Sequence, residues 1–305
     1  MRDATAGDPI TGLKWTHKSL RALVRQLQRQ DHQISAPTVA RLLAGRGYGL
    51  HANQKQRASK QSPGRDEQFG YIAKLRALFL KRNRPVISVD SKKRELVGQF
   101  KQRGQQWRKT AHTVLIYDFR SDAVGIAIPY GIYDVGRNRG YIVVGTSHDT
   151  AQFAVAAIRS WWMEVGRTSY PEARHLLIEA DSGGSNANNS RVWKQGLQQL
   201  ADEFCLTITV THYPTGASKW NPIEHRCFNL ISANWAGQPL DSYQTILKFI
   251  RSTRSTTGFR CRARLDQREY PTGIKISQQQ VDAWRIDTHT LFPHWNYTVN
   301  PRRRR

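Results

Sequence analysis

The sequence is poor in cysteine, in long apolar runs and in acid. Its three cysteines, Cys205, Cys227 and Cys261, form no CxxC pair and no Cys/His ligand set. Neither a disulfide framework nor a structural zinc site is indicated, and the three read as reduced packing residues of a cytosolic chain. No apolar run approaches the length of a membrane span, and the opening MRDATAGDPITG has no signal-peptide core. A cytoplasmic, nucleoid-associated protein with no membrane partner is expected. Asp and Glu number 23 against 47 Lys and Arg, a formal charge of +24, which points to a polyanionic partner. The charge is uneven. Residues 1–110 hold 24 Lys and Arg against 7 Asp and Glu, and Arg302–Arg305 end the chain in four more cations. The stretch between is close to neutral. With 39% apolar residues and nine Trp, a sizeable core is available.

Residues 1–50 read as a helix-turn-helix module. Leu20, Leu23, Val24 and Leu27 recur at helical spacing. Ser35 precedes a second helix with Pro37 in its first turn, where a missing N–H costs nothing. That helix should bury Val39, Leu42 and Leu43 and stop at Gly45. If its exposed face enters a major groove, Thr38, Arg41 and Arg46 are the DNA contacts. An ordinary helical hairpin has the same pattern. Residues 51–65 read as a basic linker, and 66–250 as an α/β core with a leading helix carrying Phe69, Ile72, Leu75, Leu78 and Phe79 on one face. Residues 251–305 read as a C-terminal extension with a basic tail.

Within the core, PVISVD is a short continuous apolar run of the fully buried kind. HTVLIYDF, AVGIAIPYGIYD and GYIVVGTS are expected to continue from it as an antiparallel meander. Helix DTAQFAVAAIRSWWMEVG, strand HLLIEAD, a helix over 188–204, strand LTITVTH and a helix starting at NPIEHR follow. A meander extended by crossover helices is the RNase H-like layout, a mixed sheet flanked by helices.

Asp90 ends the first strand and Asp181 ends the strand after the first crossover. Glu224 opens a later helix. Two carboxylates at strand ends and one on a helix packed across the sheet can converge on a pair of divalent cations, Mg²⁺ or Mn²⁺. Such a pair clamps the attacking and leaving oxygens of a phosphodiester. Each acid alone reads first as a turn or capping residue, and it is the three together, each where one fold needs it, that point to the metal site. Lys92, Lys93 and Arg94 follow Asp90 and read either as phosphate contacts or as a solvated charge run. His212 is a phosphate contact or a satisfied structural histidine. Lys219 and Trp220 could grip DNA by charge and stacking.

At these residues the chain is similar to a known family. ISVDSKKRELVGQFK, IPYGIYD, HDTAQFAVAAIRSWW, LLIEADSGGSN, HYPTGASKWNPIEHR and HWNYTV resemble the Rhodopirellula transposase family. This is a branch of bacterial insertion-sequence transposases with a DDE, retroviral-integrase-like core. The resemblance runs from about Trp15 to Val299. It implies a catalytic triad at Asp90, Asp181 and Glu224 with metal-dependent strand cleavage and transfer. It also implies an N-terminal module that binds terminal inverted repeats. Joining two element ends to target DNA implies a homo-oligomer on DNA. Ser182 and Ala217 stand where the family has Gly and Thr, and neither change removes a ligand. The family's longer N-terminus makes residues 1–50 read as a truncated module. A catalytically inactive, repressing remnant and a structure-specific nuclease on the same fold stay open as alternatives.

Overall fold

The computed structural model describes residues 5–7, 14–16, 18–50 and 63–302. Most of the expected linker and the last three arginines lie outside them. The chain divides into two compact units, residues 1–57 and 58–305. No helix among the described residues is long and apolar enough to cross a membrane.

In the first unit, strands β1 (Thr5–Gly7) and β2 (Lys14–Thr16) pair antiparallel. They precede helices α1 (Leu20–Gln28) and α2 (Ala36–Ala44). The Ser19 and Ser35 side chains accept from Ala22 N and Thr38 N, satisfying helix-start donors that otherwise have no partner. The helices pack through Leu23 and Val39. Leu42, expected inside, is 45% exposed. A pair of nine-residue helices has room for few buried positions.

The second unit opens with α3 (Arg65–Lys81) and β3 (Val86–Ser91). β4 (Glu95–Val97), β5 (Gly125–Asp134) and β6 (Arg139–Gly145) follow. Next come α4 (Ala151–Trp161), extended by a π-helical turn to Gly166, the short helical turn α5 (Arg167–Ser169) and β7 (His175–Ala180). α6 (Arg191–Phe204) leads to β8 (Thr207–His212). A π-helical turn, Glu224–Phe228, runs into α7 (Asn229–Asn234), and α8 (Tyr243–Ser252) and β9 (Arg260–Asp266) follow. α9 (Gln278–Asp282), β10 (Ile286–Thr288) and β11 (Asn296–Val299) complete it.

The sheet order is β10-β11-β8-β7-β3-β5-β6-β9. β3, β5 and β6 form the antiparallel meander, and β7 and β8 extend it in parallel with β3. This is the expected RNase H-like mixed sheet. Alternate side chains face opposite layers. Ile87, Val89, Leu176 and Ile178 meet the layer of α4 and α6, with Phe153, Trp161, Trp193 and Leu197. The other face packs Ile142 and Val144 against Ile223, Phe228, Ile231 and Trp235, with Ile246 of α8 in the same layer.

Two features differ from the sequence reading. HTVLIYDF forms no strand: Ile116 is 89% and Tyr117 65% exposed. β5 pairs with β4 and then β3 along one edge and with β6 along most of the other, so the expected place for this run between β3 and β5 is taken. Residues beyond 250 contribute three strands to the sheet. β9 pairs in parallel with β6, and β11 pairs antiparallel with β8.

α3 is fastened at two polar points. Gln68 is fully buried, and its amide exchanges hydrogen bonds with the Asn296 amide at 2.8 and 2.7 Å while also donating to His212 O. Arg76 forks onto Glu179 of β7 at 2.7 and 2.6 Å.

Candidate active site

β3 and β7 run parallel with Val89 level with Ala180. Continuing that register by one residue sets Asp181 beside Asp90, one strand spacing away, about 4.8 Å. Both acids thus stand at carboxyl ends of adjacent parallel strands, where α/β sheets bind ligands. Glu224 reaches the same end from the layer above. Ser88 Oγ accepts from Ile223 N at 2.9 Å and donates to the Asn221 side chain, and Asn221 Nδ2 donates to Val89 O at 3.0 Å. The start of Glu224's helix is therefore tied to the strand that carries Asp90. Gly131, paired with Asp90, makes the close approach possible. A Cβ there would lie 2.5 Å from Phe228 and 2.7 Å from Ile223.

The electrostatics show that the acids feel one another. Burial pushes the Asp90 carboxyl well above the usual range, and Asp181, Glu224 and Asp149 push it further. Asp181 is pushed up to about 6, first by burial, against hydrogen bonds from Asn186 and the Gly183 amide. Glu224 is raised by burial, partly offset by His225 and Lys92. An all-oxygen anionic cluster whose members resist ionisation fits a hard divalent cation, which would relieve their repulsion. Among the described residues no three His, Cys, Asp or Glu side chains close into a ligand set. The donors are gathered without being drawn onto a common point.

A fourth carboxylate, Asp149, was not singled out in the sequence. It accepts from Ser91 Oγ at 2.9 Å, and Ser91 Oγ also lies 3.2 Å from Ser185 Oγ. A lone Asp one residue before a Thr N-cap gives no separate signal. Asn186, in the polar run after Asp181, is buried. It accepts from Tyr130 OH at 2.7 Å and donates to Asp181 Oδ1 at 3.4 Å. Asn221 also escaped notice, because its partner Ser88 lies 133 residues away.

The flanking candidates separate. Lys93 and Arg94 are exposed. Lys92 is largely covered, pairs with Glu95 at 3.0 Å and sits 4.5 Å over the Trp235 ring. Its charge balances carboxylates rather than facing solvent. His212 is fully buried, with Nδ1 2.8 Å from Asp181 O and Nε2 3.1 Å from Tyr297 OH. Burial lowers it to about 4. A neutral, enclosed ring holds the loop after Asp181 and presents nothing to a phosphate, so the structural reading of this histidine applies. Lys219 and Trp220 are exposed, with Trp220 edge-on to Phe69 at a centroid distance of 6.0 Å. In the first unit Arg41 and Arg46 are exposed, and Thr38 is half-buried with its hydroxyl 2.9 Å from Ser35 Oγ.

No curated protein matches the chain. Among solved structures, the Mos1 transposase paired-end complex with left transposon end is similar at 15% identity and TM-score 0.44, covering 76% of this chain and 65% of that one. A pre-cleavage Mos1 transpososome is similar at 15% identity and TM-score 0.46, covering 81% and 72%. This chain thus spans just under two thirds of the first of these. The sequence model described as the Rhodopirellula transposase DDE domain matches residues 1–301, and the chain belongs to that family.

Proposed function

We propose that this chain is the transposase of an insertion sequence, cutting and joining DNA strands at the element's terminal inverted repeats. The observation that carries this reading is the gathering of Asp90, Asp181 and Glu224, from three distant segments, at one end of the sheet. Family membership supports it. Asp90, Asp181 and Glu224 would hold the divalent metal, and bound there Mg²⁺ or Mn²⁺ supplies charge neutralisation and an activated oxygen nucleophile. The protein's own groups set the geometry. Ser88 and Asn221 fix the helix of Glu224, and Asn186 orients Asp181. Exposed Lys93, Arg94, Lys219 and Trp220 offer charge and a stacking face to the flanking strand. α2 and the turn after it present Arg41 and Arg46 for end recognition, and coupling two ends calls for a homo-oligomer on DNA.

The test is an assay of the purified chain with Mg²⁺ and a duplex bearing the element's terminal repeat. Nicking at the repeat boundary and products joining that end to target DNA are expected. Asp181→Ala should lose several orders of magnitude of rate. Cleavage without joined products would make the chain a nuclease. Binding without cleavage in any divalent metal would make it a repressing remnant.

A further inference from the structure

Between β4 and β5 the chain leaves the sheet for a long excursion in which residues 98–117 hold four cations and no Asp or Glu. This segment is docked, not loose. Gly237 N donates to Arg103 O at 2.8 Å, and Gln106 Nε2 donates to Ala236 O at 2.9 Å. Gly104, at φ +107°, lets the two backbones touch, since a Cβ there would lie 2.6 Å from Ala236 Cβ. Between the segment and Gly237–Pro239 lies a groove of about 820 Å³. Lys101, Arg108, Lys109 and Trp107 line it, with the amides of Gln102 and Gln105.

Two properties of this groove point to a ligand. None of Lys101, Arg103, Arg108 or Lys109 makes an ion pair among the described residues. Among the described residues Arg108 meets no carboxylate: it donates to Gln106 Oε1 at 3.0 Å and lies 3.3 Å from His112 Nδ1. Trp107 is 105% exposed, its whole ring in water beside these cations. A large aromatic left in water costs hydration free energy that a stacked partner would recover. A run of contacts links the groove to the strand of Asp90: Lys92, two residues after Asp90, covers Trp235, whose successors Ala236 and Gly237 hold the docked segment.

We infer that this groove is a binding site for an unpaired stretch of DNA strand, with Trp107 stacking on a base and Lys101, Arg108 and Lys109 contacting phosphates. A duplex hides its base faces, so a wholly exposed ring flanked by cations suits a strand whose bases are free. The inference rests on the reading that DNA is the partner, and adds where an opened strand near the cut would lie.

Anisotropy of a labelled oligothymidylate and of a labelled duplex with the full chain tests it. Trp107→Ala should weaken oligothymidylate binding about five- to a hundredfold, with Trp107→Phe close to the parent and duplex binding little changed. Changing Lys101, Arg108 and Lys109 together to Gln should lower the slope of log affinity against log salt for the single strand by about 2. The replaced side chains lie on the surface, and the duplex arm reports that the fold is intact. Parent-like oligothymidylate binding by Trp107→Ala, or equal losses on single strand and duplex, would overturn the groove inference and leave the function above standing. A parent chain that binds neither DNA would overturn both.

Discussion

Replacing Arg76 by Met should destabilise the second unit in a way that depends on pH. Glu179 is fully buried on β7, two residues before Asp181, and Arg76 of α3 is its countercharge. The same guanidinium donates to Tyr213 OH at 2.7 Å. Breaking a buried pair by removing one partner costs about 3–5 kcal/mol, because a charge is left without compensation. Arg76 keeps 28% of its side-chain surface in water, which screens the pair and brings the cost just below that range, to about 2–3 kcal/mol. For a unit of this size that is a fall in Tm of about 4–12 °C. Burial raises the Glu179 pKa, and the Arg76 hydrogen bonds and charge are the largest opposing influence. Without them the pKa rises further. A carboxylate with a raised folded pKa contributes stability that is complete below its unfolded value and is lost as pH rises through the folded value. The Met variant should therefore be hurt most at pH 7 and progressively less towards pH 5. Adding Glu179→Gln should recover at least about 1 kcal/mol at pH 7. Urea denaturation of the three variants at both pH values measures this. A penalty equal at pH 5 and pH 7, unaffected by Glu179→Gln, would refute the reasoning.

Other consequences are equally direct. Asp181→Asn removes a carboxyl whose folded pKa of about 6 exceeds its unfolded 3.8. Relative to this variant, the metal-free parent should lose stability as pH rises from about 4 through 6, and a parallel pair of stability curves would count against the burial assigned to Asp181. His212, lowered by burial to about 4, works in the opposite sense. Its contribution is complete above its unfolded 6.5 and lost as pH falls through 4, so His212→Gln should flatten that slope in acid denaturation. Ser88→Ala strips Ile223 N of its acceptor and Asn221 of its donor in a dry interior, at about 1–3 kcal/mol in chemical denaturation. It should also slow cleavage while leaving DNA affinity near the parent's, because Glu224 loses its tether.

Residue pattern alone made the centre of the fold legible. PVISVD and HLLIEAD could be read as buried strands because each is a nearly unbroken apolar run closed by an acid. Ser35 and Pro37 marked a helix start by local chemistry. The failures have physical causes. HTVLIYDF has strand-like content, but its expected place between β3 and β5 is closed because those two strands pair directly. RCRARLD alternates Cys261 and Ala263 inward with exposed Arg260 and Arg262, a half-buried pattern masked by its charge. Asp90 and Asp181 could be placed at the ends of buried strands because an acid closing an apolar run stands out in the pattern. Asp149, the Ser88–Asn221 tether and the Gln68–Asn296 clasp were not, because each depends on partners far away in sequence. Lys92 sits in a visible charge run, yet packing on Trp235 decides what it does.

Counting Mn²⁺ bound to the metal-free chain by electron paramagnetic resonance, with the parent and with Asp90→Asn, Asp181→Asn and Glu224→Gln singly and combined, bears most directly on the shared carboxylate site. The parent should bind Mn²⁺ tightly, each single change should weaken it by at least tenfold, and the combined variant should bind none at that affinity. A combined variant that takes up as many ions as tightly as the parent would contradict the assignment.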